Sequence, residues 1–208
     1  MKRGLMFVLS AVLLAAMAVA PVQAQTLTKA DRAALVKYLK ATRDGVQKAT
    51  KGLSPAQMNF KSAPDRWSVA ECLEHIAASE DLLFGMIHDK VMTAPAPAGA
   101  FDAAKAHEMD AKVKVMITDR SQKAQAPEPL RPTNRFSSTN GSWQHFTDSR
   151  QRTIDFVQKE NGLREHAMDS PVIKGLDGYQ WVLFVSAHSA RHTAQIIEVK
   201  ADPKFPKK

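Results

Sequence analysis

Apolar residues recur at helical spacing in four long stretches of the chain. In the first, Leu35, Tyr38, Leu39, Thr42 and Val46 share a face that runs to about Lys51, where Gly52 ends it. Thr28 is the expected N-cap, with Asp31 three residues on to meet the exposed amides. Ser54-Pro55 opens a short helical turn, followed by a loop to Asp65. The second stretch carries Leu73, Ile76, Leu83 and Ile87, and Ser68-Val-Ala-Glu71 ahead of it is a capping box flanked by Trp67 and Cys72. The third runs from about Ser142 to Glu160 on Trp143, Phe146, Ile154 and Val157, and Asn161-Gly162 closes it. The fourth is capped by Asp177 with Gln180 at the third helical position, and it continues to about Ala201 before Pro203.

Between the second and third stretches, Thr93-Ala-Pro-Ala-Pro-Ala-Gly99 is a helix-stopping linker. A shorter helix is expected from about Phe101 to Ile117, with Val113, Met116 and Ile117 on one side. From Asp119 to Gly141 three prolines and many polar residues predict an extended loop. No strand and no internal repeat is evident. The pattern predicts an all-α four-helix bundle with a long, partly helical connection between its second and third helices, and a connection of that length permits a crossover along the bundle.

The start of the chain falls outside this pattern. Lys2 and Arg3 precede an apolar run from Leu5 to Ala20, and Pro21-Val-Gln-Ala24 follows with small residues where a signal peptidase reads. Residues 1–24 are therefore expected to be a secretory signal peptide, and residues 25–208 one bundle domain of an exported protein, periplasmic or secreted. No later stretch is apolar enough to span a bilayer. Cys72 is the single cysteine, which excludes an internal disulfide, an attached c-type haem and a cysteine-rich zinc site. The net charge is +8, two units of it from Lys2 and Arg3, and the remainder is spread along helices and in the tail 200–208. Without interleaved aromatics this reads as a solvated surface and not as a nucleic-acid footprint.

Candidate chemistry centres on the fourth stretch. Positions 181, 184, 185, 188, 192, 195, 196 and 199 share one face and read Trp, Phe, Val, His, His, Gln, Ile, Val. His188 and His192, four apart, have the spacing by which one helix can grip one metal ion. His75, early in the second helix and on the flank of its stripe, is the candidate third ligand. The competing reading is a pair of hydrogen-bonded core histidines and an unrelated surface His75. Other sites fail on sequence. No Glu is followed three residues on by His, as a di-iron bundle needs, and Ser189 stands where a zincin's glutamate would be. There is no phosphate loop, dinucleotide fingerprint or Gly-x-Ser-x-Gly elbow. His88, His107, His145 and His166 are read as surface residues.

Trp67-Ser-Val-Ala-Glu-Cys-Leu-Glu-His75-Ile, followed far downstream by His188-Ser-Ala-Arg-His192-Thr-Ala-Gln195-Ile196, resembles the DinB/YfiT-like superfamily. The resemblance spans about Thr28 to Lys200. It implies an up-down-down-up four-helix bundle that holds a divalent metal, zinc or nickel, on His75, His188 and His192. The connection 93–141 is longer than in the family's minimal bundle and long enough to fold over such a site. Relatives that use low-molecular-weight thiols, such as mycothiol-dependent isomerases and bacillithiol transferases, work in a reducing cytoplasm, so for an exported chain hydrolysis of a small molecule fits better than thiol transfer. A non-catalytic metal-binding or structural bundle is the alternative, and a homodimer stays open. Candidates for catalytic or orienting roles are Glu71, Gln195 and Arg191. Glu71 is equally the capping partner of Ser68, and Arg191, like Arg131 and Arg135, could hold an anion.

Overall fold

The computed structural model describes residues 27–97, 99–121 and 124–207, so the expected leader at residues 1–24 lies outside the described residues. Among these residues the helices are α1 (Lys29–Thr50), α2 (Pro55–Asn59), α3 (Val69–Asp89), α4 (Ala103–Thr118), α5 (Thr139–Lys159) and α6 (Gly178–Lys200). The caps read from sequence form as expected. Thr28 accepts from the Asp31 amide, and reciprocal capping boxes pair Ser68 with Glu71 and Asp177 with Gln180.

Cross-helix contacts fix the direction of each long helix. Arg32 near the start of α1 bonds the Glu160 carbonyl just past the end of α5, so these two run antiparallel. Tyr179 at the start of α6 bonds the Asp31 carbonyl, while Lys200 at its end bonds the Ala49 carbonyl, so α6 runs parallel to α1. Asp81 meets Ser149 and Phe84 meets Phe156, which makes α3 parallel to α5. His75 faces His192 and Glu80 faces Ser189, which makes α3 antiparallel to α6. The four-helix bundle is thus up-down-down-up, with α1 and α3 on one diagonal and α5 and α6 on the other.

α4 lies outside the ring against α6 and near α1. Lys114 sits over the Tyr38 ring, and His107 bonds Asp31 at 3.0 Å. Val113 and Ile117 point inward, but Met116, expected beside them, is exposed. Buried Arg164 joins α4 to the start of α6, bonding Asp110 at 2.7 Å and Asp177 at 2.8 Å. Desolvation drives the Asp177 carboxyl above its usual value, although the guanidinium pulls the other way.

The helical core has two apolar halves. One gathers Leu35, Leu39, Ile87, Val157, Trp181 and Val185, and the other Val46, Leu73, Ile76, Phe146, Ile196 and Val199. Between them lies a polar layer that no apolar periodicity signals. Arg150, fully buried, bonds Glu80, the Leu39 carbonyl at 2.7 Å, Thr42 at 2.6 Å and Ser189 at 2.9 Å. Ser189 also donates to Glu80 at 2.8 Å, so the guanidinium links its own helix, α5, to the other three long helices.

Two further expectations change. α5 begins at Thr139, three residues before Ser142, because Ser138 caps it by accepting from the Gly141 amide at 2.9 Å. Gly141 is required there, since a Cβ would lie 2.2 Å from the Phe136 carbonyl oxygen. A two-residue antiparallel ladder, Ala167–Met168 with Leu176–Asp177, also forms where no strand was expected. It is too short to leave an alternating pattern, and the Trp181 indole fixes it by donating to the Met168 carbonyl at 3.0 Å.

Candidate metal centre

The middle of α6 projects His188 and His192 from one face, with ring centroids 4.5 Å apart. The opposing antiparallel helix, α3, brings His75 to within 5.1 Å of the first ring and 4.4 Å of the second. One nitrogen from each imidazole lies within 4.8 Å of the other two. His75 and His192 are buried, and His188 is partly exposed. His75, expected on the flank of its helix, is only 3% exposed because the segment Glu128–Leu130 covers that flank. Trp67, just ahead of the α3 cap, packs its ring against His75 at 4.8 Å and His192 at 6.0 Å.

Hydrogen bonds fix the tautomers of two rings. His75 Nδ1 lies 2.8 Å from the Leu130 carbonyl oxygen, which can only accept, so Nδ1 carries the proton and Nε2 bears a lone pair. His192 Nδ1 likewise donates to Gln195 Oε1 at 2.8 Å. Both Nε2 lone pairs are thereby left for the interior of the cluster. His75 Nε2 is 3.3 Å from His188 Nε2. Two imidazoles bound tetrahedrally at about 2.0–2.1 Å would hold their nitrogens about 3.3 Å apart.

All three rings favour the neutral form more than a free imidazole does. Desolvation is the leading cause in each, lowering His75, lowering His188 well below its usual value and taking His192 to about 3. Repulsion between neighbouring rings adds to the shift at His188 and His192, and Arg135 adds to it at His75. Neutral imidazole nitrogens that converge with lone pairs available are what a divalent cation requires. Among the described residues, no Cys, Asp or Glu joins the three histidines in this cluster.

Residues 38–196, which include all three histidines, match the family model of the DinB superfamily. The chain belongs to that superfamily. This DinB chain is 28% identical over 152 residues to the uncharacterized protein YuaE of Bacillus subtilis (strain 168), a match covering 72% of this chain and 87% of YuaE. Its fold is similar to that of YfiT from Bacillus subtilis, with a TM-score of 0.55 at 13% identity over 85% of this chain and 89% of YfiT. YfiT is described as a probable metal-dependent hydrolase with an unusual four-helix bundle topology.

The remaining candidates of this DinB chain separate by what they touch. Gln195 is in the cluster's immediate surround, orienting His192. Glu71 spends one oxygen on the Ser68 amide at 2.8 Å and the other on Lys61 at 2.7 Å, as the capping reading requires. Arg191 donates to the Ile117 and Asp119 carbonyls and so ties the end of α4 to α6. Arg135 pairs with Glu74 and with the Pro129 and Arg131 carbonyls, while Arg131 reaches the Ala126 carbonyl at 3.3 Å. Of the four histidines read as surface residues, His88 and His107 are exposed. His145 is half-buried against Phe136 and Asp81, and half-buried His166 bonds the Ala94 carbonyl at 2.6 Å. The Leu130 carbonyl, the partner that fixes His75, has no signature in the sequence, since nothing in residues 119–141 marks one carbonyl among many.

Proposed function

We propose that this chain holds a divalent metal ion on His75, His188 and His192 and hydrolyses a small molecule there. The observation that carries the reading is the convergence of Nε2 lone pairs from two buried rings whose Nδ1 protons are already committed to Leu130 and Gln195. Three neutral imidazoles converge where one Nε2–H, shared between His188 and His75 at 3.3 Å, is the contact among them, and a divalent cation can take a lone pair from each ring at once. The donor set of three neutral nitrogens suits zinc or nickel.

A divalent ion in such a site supplies Lewis acidity, lowering the pKa of water and polarising an ester or amide carbonyl. The protein's own groups perform the remaining tasks. The Leu130 carbonyl and Gln195 hold two rings at fixed orientation, and Trp67 covers the faces of His75 and His192 and keeps water off them. His188, partly exposed, marks the side from which a small molecule can enter. A structural zinc site normally closes with four protein ligands, so a three-histidine set favours open positions and chemistry over a purely structural ion. The leader-like residues 1–24 support action outside the cytoplasm, where hydrolysis needs no thiol cosubstrate.

Elemental analysis of protein purified without a polyhistidine tag is the direct test. About one equivalent of zinc or nickel is expected in the wild type, with loss in both His75→Ala and His192→Ala. A wild-type protein that takes up no metal at pH 7.5 when zinc and nickel are supplied would falsify the reading.

A further inference from the structure

Glu74 and His75 are consecutive on α3, and both are tied to the same outer segment. The Glu74 carboxylate, 9% exposed, accepts three successive backbone amides, Thr133 at 2.7 Å, Asn134 at 2.9 Å and Arg135 at 3.1 Å. Such a run of converging N–H groups needs an unusual turn, and Asn134 supplies it with φ of 60°. Burial pushes the Glu74 carboxyl up, but these amides and the Arg135 side chain outweigh it and hold the group ionised below its usual value. Arg135 then braces the segment from behind, bonding the Pro129 carbonyl at 2.8 Å and the Arg131 carbonyl at 2.7 Å. Leu130, between those two residues, buries its side chain and gives its carbonyl to His75 Nδ1. The circuit runs from Glu74 out through 133–135, across Arg135 to 129–131, and back to His75.

We propose that Glu74 is a positioning residue: by clamping residues 128–135 against α3 it presents the Leu130 carbonyl to His75 and sets that ring in the Nδ1–H tautomer, with Nε2 turned to the metal. The metal half of this statement rests on the function proposed above. The tautomer half does not, because it concerns the metal-free protein. Free neutral imidazole prefers the other tautomer modestly, so a held carbonyl acceptor decides which nitrogen is available. His192 takes its acceptor from Gln195 on its own helix and lies outside this circuit, so only His75 depends on the clamp.

Long-range proton–nitrogen correlation spectra of the imidazoles, recorded on metal-free protein at pH 7.5, read the tautomers one by one. Wild type is expected to show Nδ1–H at both His75 and His192. In Glu74→Ala, His75 is expected to move towards the averaged pattern of free imidazole while His192, held by Gln195, stays. Zinc affinity of the same variant, measured by competition with a chelating dye, is expected to fall about 10–100-fold, the usual cost of losing such a partner. Arg135→Ala removes the outer brace to Pro129 and Arg131 and one longer ion pair to Glu74, but leaves the three backbone amides on that carboxylate, and it is expected to shift His75 the same way by less. It decides the matter if Glu74→Ala does not fold. His75 remaining Nδ1–H in the folded variants overturns the proposal, and so does a matching change at His192 or a zinc affinity that stays put after the tautomer has moved. A wild type that binds no zinc, with His75 still responding to Glu74→Ala, refutes the proposed function and leaves the clamp standing.

Discussion

Replacing Arg150 by Met tests the polar layer that divides the core. The guanidinium is fully buried and Glu80 is 1% exposed, so the variant leaves a carboxylate in the interior with the Ser189 hydroxyl as its remaining partner. Removing one member of a buried ion pair costs about 3–5 kcal/mol, a large share of a domain's whole stability. Glu80→Met strands the charge in the opposite sense and is expected to cost a similar amount. The double variant strands no charge. Its losses are hydrogen bonds to the Leu39 carbonyl, Thr42 and Ser189, at about 1 kcal/mol each, offset in part by apolar packing. The double variant is therefore expected within about 2 kcal/mol of wild type, giving a coupling of at least about 3 kcal/mol. Urea titration of metal-free protein followed by circular dichroism, with unchanged dependence on urea concentration, gives each value. An Arg150→Met loss below about 1 kcal/mol, or single losses that simply add in the double variant, would show that the layer is not an interdependent charge pair.

Three further outcomes are expected. His192 has a folded value of about 3 against an ordinary 6.5, so its contribution to stability is fully present above pH 6.5 and is lost as pH falls towards the folded value; metal-free protein should lose about 2 kcal/mol by pH 5 from this ring alone. Urea midpoints at pH 7.5 and 5.0 check this, and equal midpoints at the two pH values rule it out. Gln195→Leu removes the acceptor of the His192 Nδ1 proton and should weaken zinc binding about 10–100-fold in calorimetric titration; an affinity equal to wild type would remove Gln195 from the site. Gly141→Ala forces a Cβ against the Phe136 carbonyl and should cost about 1–3 kcal/mol, read as a lower melting temperature; an unshifted melt would mean that the turn relaxes freely.

Much of this architecture was legible in the chain because it is written in short range. Caps such as Ser68 with Glu71 and Asp177 with Gln180 act over three residues, and the stripe through Trp181, Val185 and Ile196 acts over one helix face. The three histidines could be named because two share a helix face and the third follows a recognisable cap. What escaped notice acts between elements. Glu80 and Arg150 sit within amphipathic helices where charge ordinarily means solvent, and only the meeting of four helices makes them interior. Glu74 resembles any helical glutamate until residues 133–135 fold back onto it. Met116 shares a nominal stripe with Val113 and Ile117, but α4 touches the bundle along too narrow a line to cover all three.

The buried Arg150 layer also acts as a registration pin. Apolar helix faces tolerate sliding, since one leucine can replace another a turn away, and a slide of one turn moves a helix about 5.4 Å. Such a slip of α6 along α3 would carry Ser189 out of reach of Glu80, now 2.8 Å away, and leave the ionised layer unmatched inside the core. His188 directly precedes Ser189, and Glu80 lies five positions beyond His75 on α3. Whatever indexes Ser189 on Glu80 therefore also indexes the imidazoles on one another. The alignment of the histidine cluster is inherited from an ion pair one layer deeper, and no histidine has to enforce it.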